Sequence, residues 1–203
     1  YAKAASFGTA YQTAYVALTH RGNLQPGEWL MVHGASGGVG MAAVDMGKHL
    51  GARVIGTGGT DAKLAVVKSR GADEVINYKE EDIADRVKEI TGGRGVDVVL
   101  DHVGADFWPA ATRSLAMGGR YGICGVTSGY RAELQMGIMF TRYQTVFGVF
   151  MGRKEDMRQI IDLAGRGVVK GVIHQTFPLE DAAKAHEVME GLNFFGKLVL
   201  TME

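Results

Sequence analysis

A regular alternation of short apolar runs with longer amphipathic stretches is the feature that most constrains the fold. Six strands are predicted, at residues 29–33, 53–57, 74–77, 96–100, 120–124 and 145–150. The first helical stretch between them places on one face Val39, Ala42, Ala43, Met46 and Leu50. Because parallel strands joined by right-handed helical crossovers form one sheet covered on both sides, the pattern predicts a doubly wound α/β fold with a six-stranded parallel sheet.

A glycine-rich segment, Val-His-Gly-Ala-Ser-Gly-Gly-Val-Gly at residues 32–40, joins the first predicted strand to the first helix. In a dinucleotide-binding fingerprint, one glycine brings the pyrophosphate close to the backbone and a later one lets the helix pack on the sheet. Gly37 and Gly40 fit these two roles, although Ala35 stands where the first glycine of the fingerprint is expected. Free amides at the helix start would stabilise the phosphates, so the segment predicts a dinucleotide site.

The same segment also fits a serine nucleophile motif. Gly34, Ser36 and Gly38 match GxSxG, and Asp101 with His174 or His186 would complete a catalytic triad. However, a hydrolase sheet has several strands and an oxyanion loop before this motif, and too little chain precedes Ser36. The dinucleotide site is therefore favoured.

The end of the second predicted strand indicates which dinucleotide is bound. Sites that prefer NAD carry an Asp or Glu there for the ribose hydroxyl, whereas this chain has Gly58. Without that carboxylate, a 2′-phosphate has room, Lys63 offers a cation and Tyr78 a hydroxyl. The alternative for Lys63 is a solvated helix lysine. The sequence favours NADPH over NADH.

Composition narrows the classes of partner. Lys plus Arg number 22 and so do Asp plus Glu, and this balance gives no electrostatic basis for binding nucleic acid. No apolar stretch reaches the ~18 residues that cross a bilayer, so no membrane partner is expected. Residues 1–10 lack a signal-peptide pattern and Cys124 is the only cysteine, which together predict a cytoplasmic protein.

Five segments give the chain a resemblance to the medium-chain dehydrogenase/reductase superfamily, and more closely to its quinone oxidoreductase-like branch, often labelled zinc-binding dehydrogenase. They are LQPG at 24–27, HGASGGVG at 33–40, GADEVINY at 71–78, GGRGVD at 92–97 and NFFGKLVL at 193–200. Enzymes of this family have an N-terminal GroES-like catalytic domain, a central Rossmann domain and a C-terminal return into the catalytic domain. The resemblance implies a connecting helix at 1–20, the Rossmann NAD(P)-binding domain at 21–166 and the return segment at 167–203, with the N-terminal catalytic domain missing.

The return segment also stands apart by its pattern. Predicted strands at 172–176 and 197–201 flank a predicted helix at 179–191 and have no obvious place in the parallel sheet. They predict a hairpin-like tail.

The resemblance implies roles for individual residues. Those expected at the phosphates are Ser36, Gly37, Gly38, Val39 and Lys197. Those expected at the nicotinamide are Thr13, Cys124, Gly125, Val126, Phe150 and Met151. Those expected at the adenosine, its ribose or the 2′-phosphate are Gly58, Lys63, Tyr78 and Val103.

Metal binding and assembly follow from the same resemblance. Zinc-dependent members carry a cysteine ligand in the segment before Thr13, where this chain has Thr9, and none of the six histidines pairs at a ligand spacing. No zinc is therefore expected in this chain. The sixth strand of the family is an edge that pairs across a twofold axis, which implies a homodimer with Phe147 and Phe150 at the contact.

Other candidate residues have ordinary structural explanations. We expect His33 to satisfy a backbone group at the end of a buried strand, and Cys124 to be a wall residue because no neighbouring His or Lys is evident that would lower its pKa. Asp101 and His102, at the carboxyl edge of the sheet, serve either the cofactor or loop hydrogen bonds. The Met and Phe residues between 136 and 151 are either core or part of the dimer contact.

Together these features predict the NADPH-binding part of a reductase that transfers hydride to an activated double bond in a quinone, an enone or an enoyl thioester. The proton or oxyanion donors would belong to the missing domain, so the chain alone would turn over little substrate. Three alternatives stay open: a fragment of a zinc-dependent alcohol dehydrogenase, a nucleotide-binding module without catalysis, and a module of a multifunctional synthase.

Overall fold

Six strands form one parallel sheet at the centre of the computed structural model, which describes residues 1–202. They are β1 (Trp29–Val32), β2 (Arg53–Gly58), β3 (Glu74–Asn77), β4 (Val96–Asp101), β5 (Leu115–Ile123) and β6 (Thr145–Gly148). Their order across the sheet is β3-β2-β1-β4-β5-β6. The strand order reverses between β1 and β4, so the carboxyl ends of these strands flank the switch point at which such sheets bind ligands. The predicted Rossmann fold is confirmed.

Helices cover both faces of the sheet. They are α1 (Ala2–Val16), α2 (Gly38–His49), α3 (Asp61–Ser69), α4 (Ile83–Ile90), α5 (Trp108–Ser114), α6 (Met136–Thr141), α7 (Lys154–Gly165) and α8 (Ala182–Glu190). One buried apolar cluster joins α1, α2, α3 and α7 to the sheet, and a second joins α4 and α5 to its other face. These two layers hold the strand ends in fixed positions.

The tail is not the hairpin-like structure predicted from the sequence, so that prediction is wrong. Strand β7 (Ile173–Pro178) pairs with β8 (Lys197–Thr201) in parallel, with Phe177 opposite Leu200. A short 3₁₀ turn (Leu179–Asp181) and α8 carry the chain back between them. Because parallel neighbours need such a crossover, the tail is a small βαβ unit.

Asp45 in the middle of α2 ties the two ends of the chain to the central domain. Its buried carboxylate accepts a hydrogen bond from the Tyr11 hydroxyl of α1 at 2.6 Å and forms an ion pair with Arg70, which follows α3. The Arg70 guanidinium also donates to the carbonyl of Lys170, at 3.1 Å, in the part of the tail that precedes β7. Helix α1 and the tail are therefore anchored at one point.

Strand β5 begins five residues before its predicted start at residue 120. Leu115 lies opposite Val96 and Arg120 opposite Val98, so the intervening residues of β5 bulge out of register. Gly118, with φ at +73°, supplies the left-handed conformation that this bulge uses.

The segment around β6 also corrects two expectations. Phe147 is 6% exposed, and its ring occupies the space that a Cβ at Gly122 would need, so its predicted place at a surface contact is wrong. Phe150, by contrast, is 95% exposed. Helix α6 contains no buried residue, so the Met and Phe residues there are not core.

Candidate functional site

The glycine loop, residues 33–40, connects β1 to α2 at the carboxyl edge of the sheet. Gly34 has φ at +58°, a conformation that favours glycine. A Cβ at Gly40 would lie 2.6 Å from the Cα of Ala35, so a glycine is needed for α2 to approach the loop. Gly37 is the N-cap of α2, and no side chain caps the helix there. The first amides of α2 are thus left for an anion.

The tail closes over this loop. The amide of Gly196 donates to the carbonyl of Ser36 at 2.7 Å, and Gly196 also pairs with Gly37 as an isolated parallel bridge. A Cβ at Gly38 would lie 2.8 Å from the Cδ of Lys197. Lys197 therefore brings a cation to the start of α2, next to its free amides.

Helix α1 approaches the loop beside the tail. The Cβ of Ala10 lies 3.8 Å from the position that a Cβ at Gly38 would occupy. Thr13 is one turn further along α1 and is buried. Val39 lies within the first turn of α2 and is half-buried. Thr13 and Val39, both predicted at the cofactor, therefore belong to elements that meet at the glycine loop.

The loop after β4 packs against the glycine loop. Nε2 of His102 lies 3.2 Å from the carbonyl oxygen of Gly34, and a Cβ at Gly34 would lie 3.4 Å from a methyl of Val103. The carboxylate of Asp101 accepts hydrogen bonds from the amides of Val103 at 2.6 Å and Gly104 at 3.2 Å, and from the Tyr121 hydroxyl. Asp101 is thus occupied by loop hydrogen bonds.

Residues 124–126 pack against the same loop. The amide of Cys124 donates to the carbonyl of Asp101 at 2.9 Å, and a Cβ at Gly125 would lie 2.6 Å from the carbonyl oxygen of His102. A Cβ at Gly104 would lie 2.9 Å from the Cα of Val126. The structure therefore brings Cys124, Gly125 and Val126 to the carboxyl edge near the glycine loop.

Gly58 ends β2 in a buried position with no room for a side chain, since a Cβ would lie 2.8 Å from a methyl of Leu64. The nearby carboxylate of Asp61 accepts a hydrogen bond from the side-chain amide of Asn77 at 3.1 Å. A Cβ at Gly59 would lie 2.6 Å from the hydroxyl of Tyr78, so that hydroxyl lies directly over the end of β2. The strand end thus presents the hydroxyl of Tyr78, and Gly58 itself carries no carboxylate.

Lys63, in the first turn of α3, extends from the same strand end toward the tail. Its ammonium donates to the carbonyl of Leu192, which has a left-handed backbone at φ +54°. Lys63 is therefore positioned between the end of β2 and the turn that precedes β8.

Lys79 is a cation that the sequence analysis missed. Its Cε lies 3.3 Å from the position that a Cβ at Gly59 would occupy, and its amide donates to the side-chain oxygen of Asn77 at 3.2 Å. Within residues 1–202 its ammonium makes no hydrogen bond or ion pair. Its place immediately after Tyr78, at the end of a strand, is the sequence signal that could have identified it.

Two further predicted residues belong to the loop that follows β6. Strand β6 ends at Gly148, so Phe150 and Met151 follow it in the loop before α7. Met151 has a left-handed backbone at φ +55°. The next residue, Gly152, lies against α1, since a Cβ there would lie 2.7 Å from the side chain of Gln12, the neighbour of Thr13.

His33 was predicted to hydrogen-bond a backbone group, and this prediction is wrong. Its fully buried ring places Nδ1 3.2 Å from the hydroxyl of Thr57, a side-chain group rather than a backbone group. Nε2 has no partner within residues 1–202. Burial lowers the pKa of His33 to about 4, with Asp101 acting in the opposite direction, so the imidazole is neutral at pH 7.

The donor groups present do not fit a zinc ion. Residues 1–202 contain no group of three or more His, Cys, Asp or Glu side chains that could hold a metal. Thr9 is exposed and offers a hydroxyl where a thiolate ligand would be required. Burial, and to a smaller degree Asp101, raises the pKa of the Cys124 thiol to about 12, so it stays protonated.

A sizeable cavity lies elsewhere. It has a volume of about 750 Å³ and lies between α5 and the segment around α6, where it is lined by Trp108, Arg113, Leu134, Ile138 and Arg142, among others. It contains none of the residues of the glycine loop. Free helix amides, required glycines and an adjacent lysine indicate an anion site more directly than volume does, so the loop is the candidate site. No helix in the part of the chain described here is long and apolar enough to span a bilayer.

Relatives and solved structures agree with this geometry. Quinone oxidoreductase 1 of Escherichia coli (strain K12) is 36% identical over 189 residues, which cover 88% of this chain and 58% of that protein. A crystal structure of an NAD-dependent alcohol dehydrogenase has a TM-score of 0.95 at 36% identity, over 100% of this chain and 59% of that one. Escherichia coli quinone oxidoreductase complexed with NADPH has a TM-score of 0.87 at 34% identity, over 98% of this chain and 64% of that one.

The chain therefore spans less than two thirds of the length of these proteins. Residues 38–166 match the family described as zinc-binding dehydrogenase. This match runs from the start of α2 to the end of α7, the stretch that builds most of the sheet and the glycine-loop helix. The chain belongs to the zinc-binding dehydrogenase family, within the medium-chain dehydrogenase/reductases, and forms a Rossmann cofactor-binding domain of that family.

Proposed function

We propose that this chain binds NADPH and that the whole protein uses it to reduce an activated double bond of a small molecule, such as a quinone, an enone or an enoyl thioester. One observation carries the proposal: an uncapped helix start beside Lys197 lies one strand away from the end of β2, where Gly58 stands in place of an acidic residue. Bound NADPH would supply the hydride.

The residues of the glycine loop would hold the diphosphate. The amides at the start of α2, with the helix dipole behind them, would donate to the phosphate oxygens, and Lys197 would neutralise part of their charge. The packing of His102 and Val103 against Gly34 keeps the loop in place before any ligand arrives. Preorganised donors lower the cost of ordering on binding.

The end of β2 would hold the 2′-phosphate. Tyr78 would donate its hydroxyl, and Lys63 and Lys79 would supply charge from either side of Gly59. A carboxylate at the position of Gly58 would repel the extra phosphate, and this chain has none there. The NADPH complex of the Escherichia coli quinone oxidoreductase supports this choice of cofactor.

The nicotinamide would lie against residues 124–126. The protonated Cys124 thiol provides a neutral wall that orients the ring and excludes water. Phe150 and Met151 would approach the ring from the loop between β6 and α7, which contacts α1 at Gln12. Proton donors and the substrate pocket belong in this proposal to residues outside this chain, since the chain covers 58% of its Escherichia coli relative. The name of that relative supports a quinone-like acceptor.

The proposal extends to architecture. Residues 1–20 would connect to a catalytic domain, 21–166 would bind the cofactor, and 167–203 would return to the catalytic domain. The unpaired edge of β6, with Phe140, Val146 and Phe150 exposed near it, would pair with a second copy as a homodimer. A single cysteine that needs no disulfide is compatible with the reducing cytoplasm.

A second candidate is an NAD-dependent alcohol dehydrogenase. The TM-score of 0.95 with a structure of that description favours it. Because residues 1–202 hold no metal-binding group, any zinc would have to be bound by other residues of the whole protein.

Calorimetric titration of the chain with NADPH and with NADH tests the choice. We expect NADPH to bind at least about tenfold more tightly, because the 2′-phosphate gains charge-assisted hydrogen bonds. Tighter binding of NADH would overturn the NADPH proposal and favour the alcohol dehydrogenase.

A further inference from the structure

An aromatic row, defined here as His33, Phe107 and Tyr78, connects the glycine loop to the end of β3. The rings of His33 and Phe107 lie with their centroids 4.7 Å apart, tilted by 51°. The rings of Phe107 and Tyr78 lie 5.0 Å apart at 88°, edge to face. The row therefore runs beneath the strand ends from β1, past β2, to β3.

His33 is the fixed end of the row. Its side chain is fully buried, its amide donates to the carbonyl of Leu100 at 3.0 Å, and its Nδ1 lies at hydrogen-bond distance from the Thr57 hydroxyl. The neutral imidazole that burial enforces packs as an ordinary aromatic ring. The ring of His33 therefore has little freedom to move.

Phe107 lies between His33 and Tyr78 and contacts both rings. It is the N-cap residue of α5, and its amide donates to the carbonyl of Gly104 at 3.0 Å. The edge-to-face contact restricts the plane of the Tyr78 ring, since such pairs prefer a narrow range of geometries.

Tyr78 is the free end. It is 38% exposed, and within residues 1–202 its hydroxyl makes no hydrogen bond. The hydroxyl nevertheless lies over Gly59, where a Cβ would come within 2.6 Å of it. The edge-to-face contact with Phe107 restricts the orientation of the ring that carries this hydroxyl.

We propose that His33 and Phe107 are positioning residues that hold the Tyr78 hydroxyl at the 2′-phosphate subsite and so set the preference for NADPH over NADH. This inference rests on the proposed function. Neither His33 nor Phe107 needs to touch the cofactor, because both act through the orientation of Tyr78.

Two nucleotide fragments test it without any turnover: 2′,5′-ADP carries the extra phosphate and 5′-AMP lacks it. The measured quantity is the ratio of their dissociation constants, obtained by calorimetry on the chain and its variants. Tyr78→Phe should reduce the preference for 2′,5′-ADP about tenfold, the value of a hydrogen bond to a charged group. Phe107→Leu should reduce it about threefold, the value of an aromatic pair.

A double-mutant cycle separates positioning from a general structural effect. In the Tyr78→Phe background, where the hydroxyl is gone, Phe107→Leu should leave the ratio unchanged. The matched control is Trp108→Leu, which removes the neighbouring aromatic of α5; Trp108 packs edge to face on Tyr121 at 4.9 Å, not on Tyr78. This control should lower stability and leave the ratio as in the wild type.

Two substitutions at His33 complete the test, with folding checked by circular dichroism. His33→Phe keeps a ring against Phe107 and should retain the wild-type ratio, whereas His33→Asn removes the ring and should behave as Phe107→Leu does. Suppose that the wild type prefers 2′,5′-ADP. The positioning role alone would then be overturned if Phe107→Leu left that preference unchanged, or if it changed the preference equally in the wild-type and Tyr78→Phe backgrounds. A wild type with no preference would overturn NADPH selection, and the positioning role with it.

Discussion

The two ends of the proposed cofactor site differ in completeness. At the phosphate end, meaning the glycine loop, Lys197 and the end of β2, elements of this chain surround the site on several sides. At the nicotinamide end, residues 124–126 form one wall, and Phe150 lies exposed beyond β6. The difference indicates that the chain carries the determinants of cofactor binding, while the chemistry depends on residues outside it.

The most severe test of the phosphate end is Gly40→Ala. The added methyl would meet the backbone of Ala35, which cannot move without shifting the start of α2. We expect the free energy of unfolding to fall by about 4 kcal/mol and NADPH binding to be lost. Urea denaturation measures the first and calorimetry the second. The control is Gly165→Ala, at the end of α7 with open space around it, which should keep both or gain slightly in stability. A mild effect at Gly40 would mean that the loop is less tightly built.

The second prediction concerns the pH dependence of stability. The pKa of His33 is about 4 in the folded protein, against about 6.5 in the unfolded chain, so the unfolded state takes up the proton first as the pH falls. The stabilisation is present above pH 6.5 and is lost as the pH falls toward 4, by about 3 kcal/mol. Denaturant titrations at several pH values measure it, with His33→Asn as the variant that should lack this contribution. An identical slope in both proteins would contradict the prediction.

The third prediction separates the diphosphate from the 2′-phosphate. Lys197→Gln should weaken the binding of NADPH and NADH alike, each by about tenfold, since both cofactors carry the diphosphate. Calorimetric titrations of the variant and the wild type with each cofactor measure the change in dissociation constant. If NADH binding stayed at its wild-type value, Lys197 would not serve the diphosphate.

The smallest expected effect is at Lys79. Lys79→Gln should weaken NADPH binding about threefold and leave NADH unchanged, because the exposed ammonium interacts with the 2′-phosphate through solvent-screened charge. The loss should shrink at high salt. The control is Lys68→Gln, an exposed lysine of α3 whose ammonium bonds the carbonyl of Asp73. An equal loss for both cofactors would remove Lys79 from the 2′ subsite.

Local patterns predicted most of the fold. The face of α2 that carries Ala42 and Met46 is buried as expected, and the apolar run of β4 is buried on both sides. Gly40 packs α2 against the loop as expected, because the requirement for a small residue there is local to the strand, turn and helix. These features depend on neighbours in sequence, which a reader of the sequence can see.

The errors all depend on distant contacts. A strand, a helix and a strand in the tail have the same local pattern whether β7 and β8 run parallel or not, so the direction of pairing was not visible. The burial of Phe147 depends on the absence of side chains at Gly22 and Gly122, far away in sequence. The partner of His33, Thr57, lies on the next strand of the sheet.

The hydrogen bond between the Gly196 amide and the Ser36 carbonyl affects where this domain can be truncated or fused. The sheet and its helices are complete by residue 166, where the family match also ends, which makes that residue an attractive place to truncate. A protein shortened there would retain its glycine turn yet leave the carbonyl of Ser36 bare and the mouth of the crevice without Lys197. The topological limit of the domain therefore falls short of its functional limit.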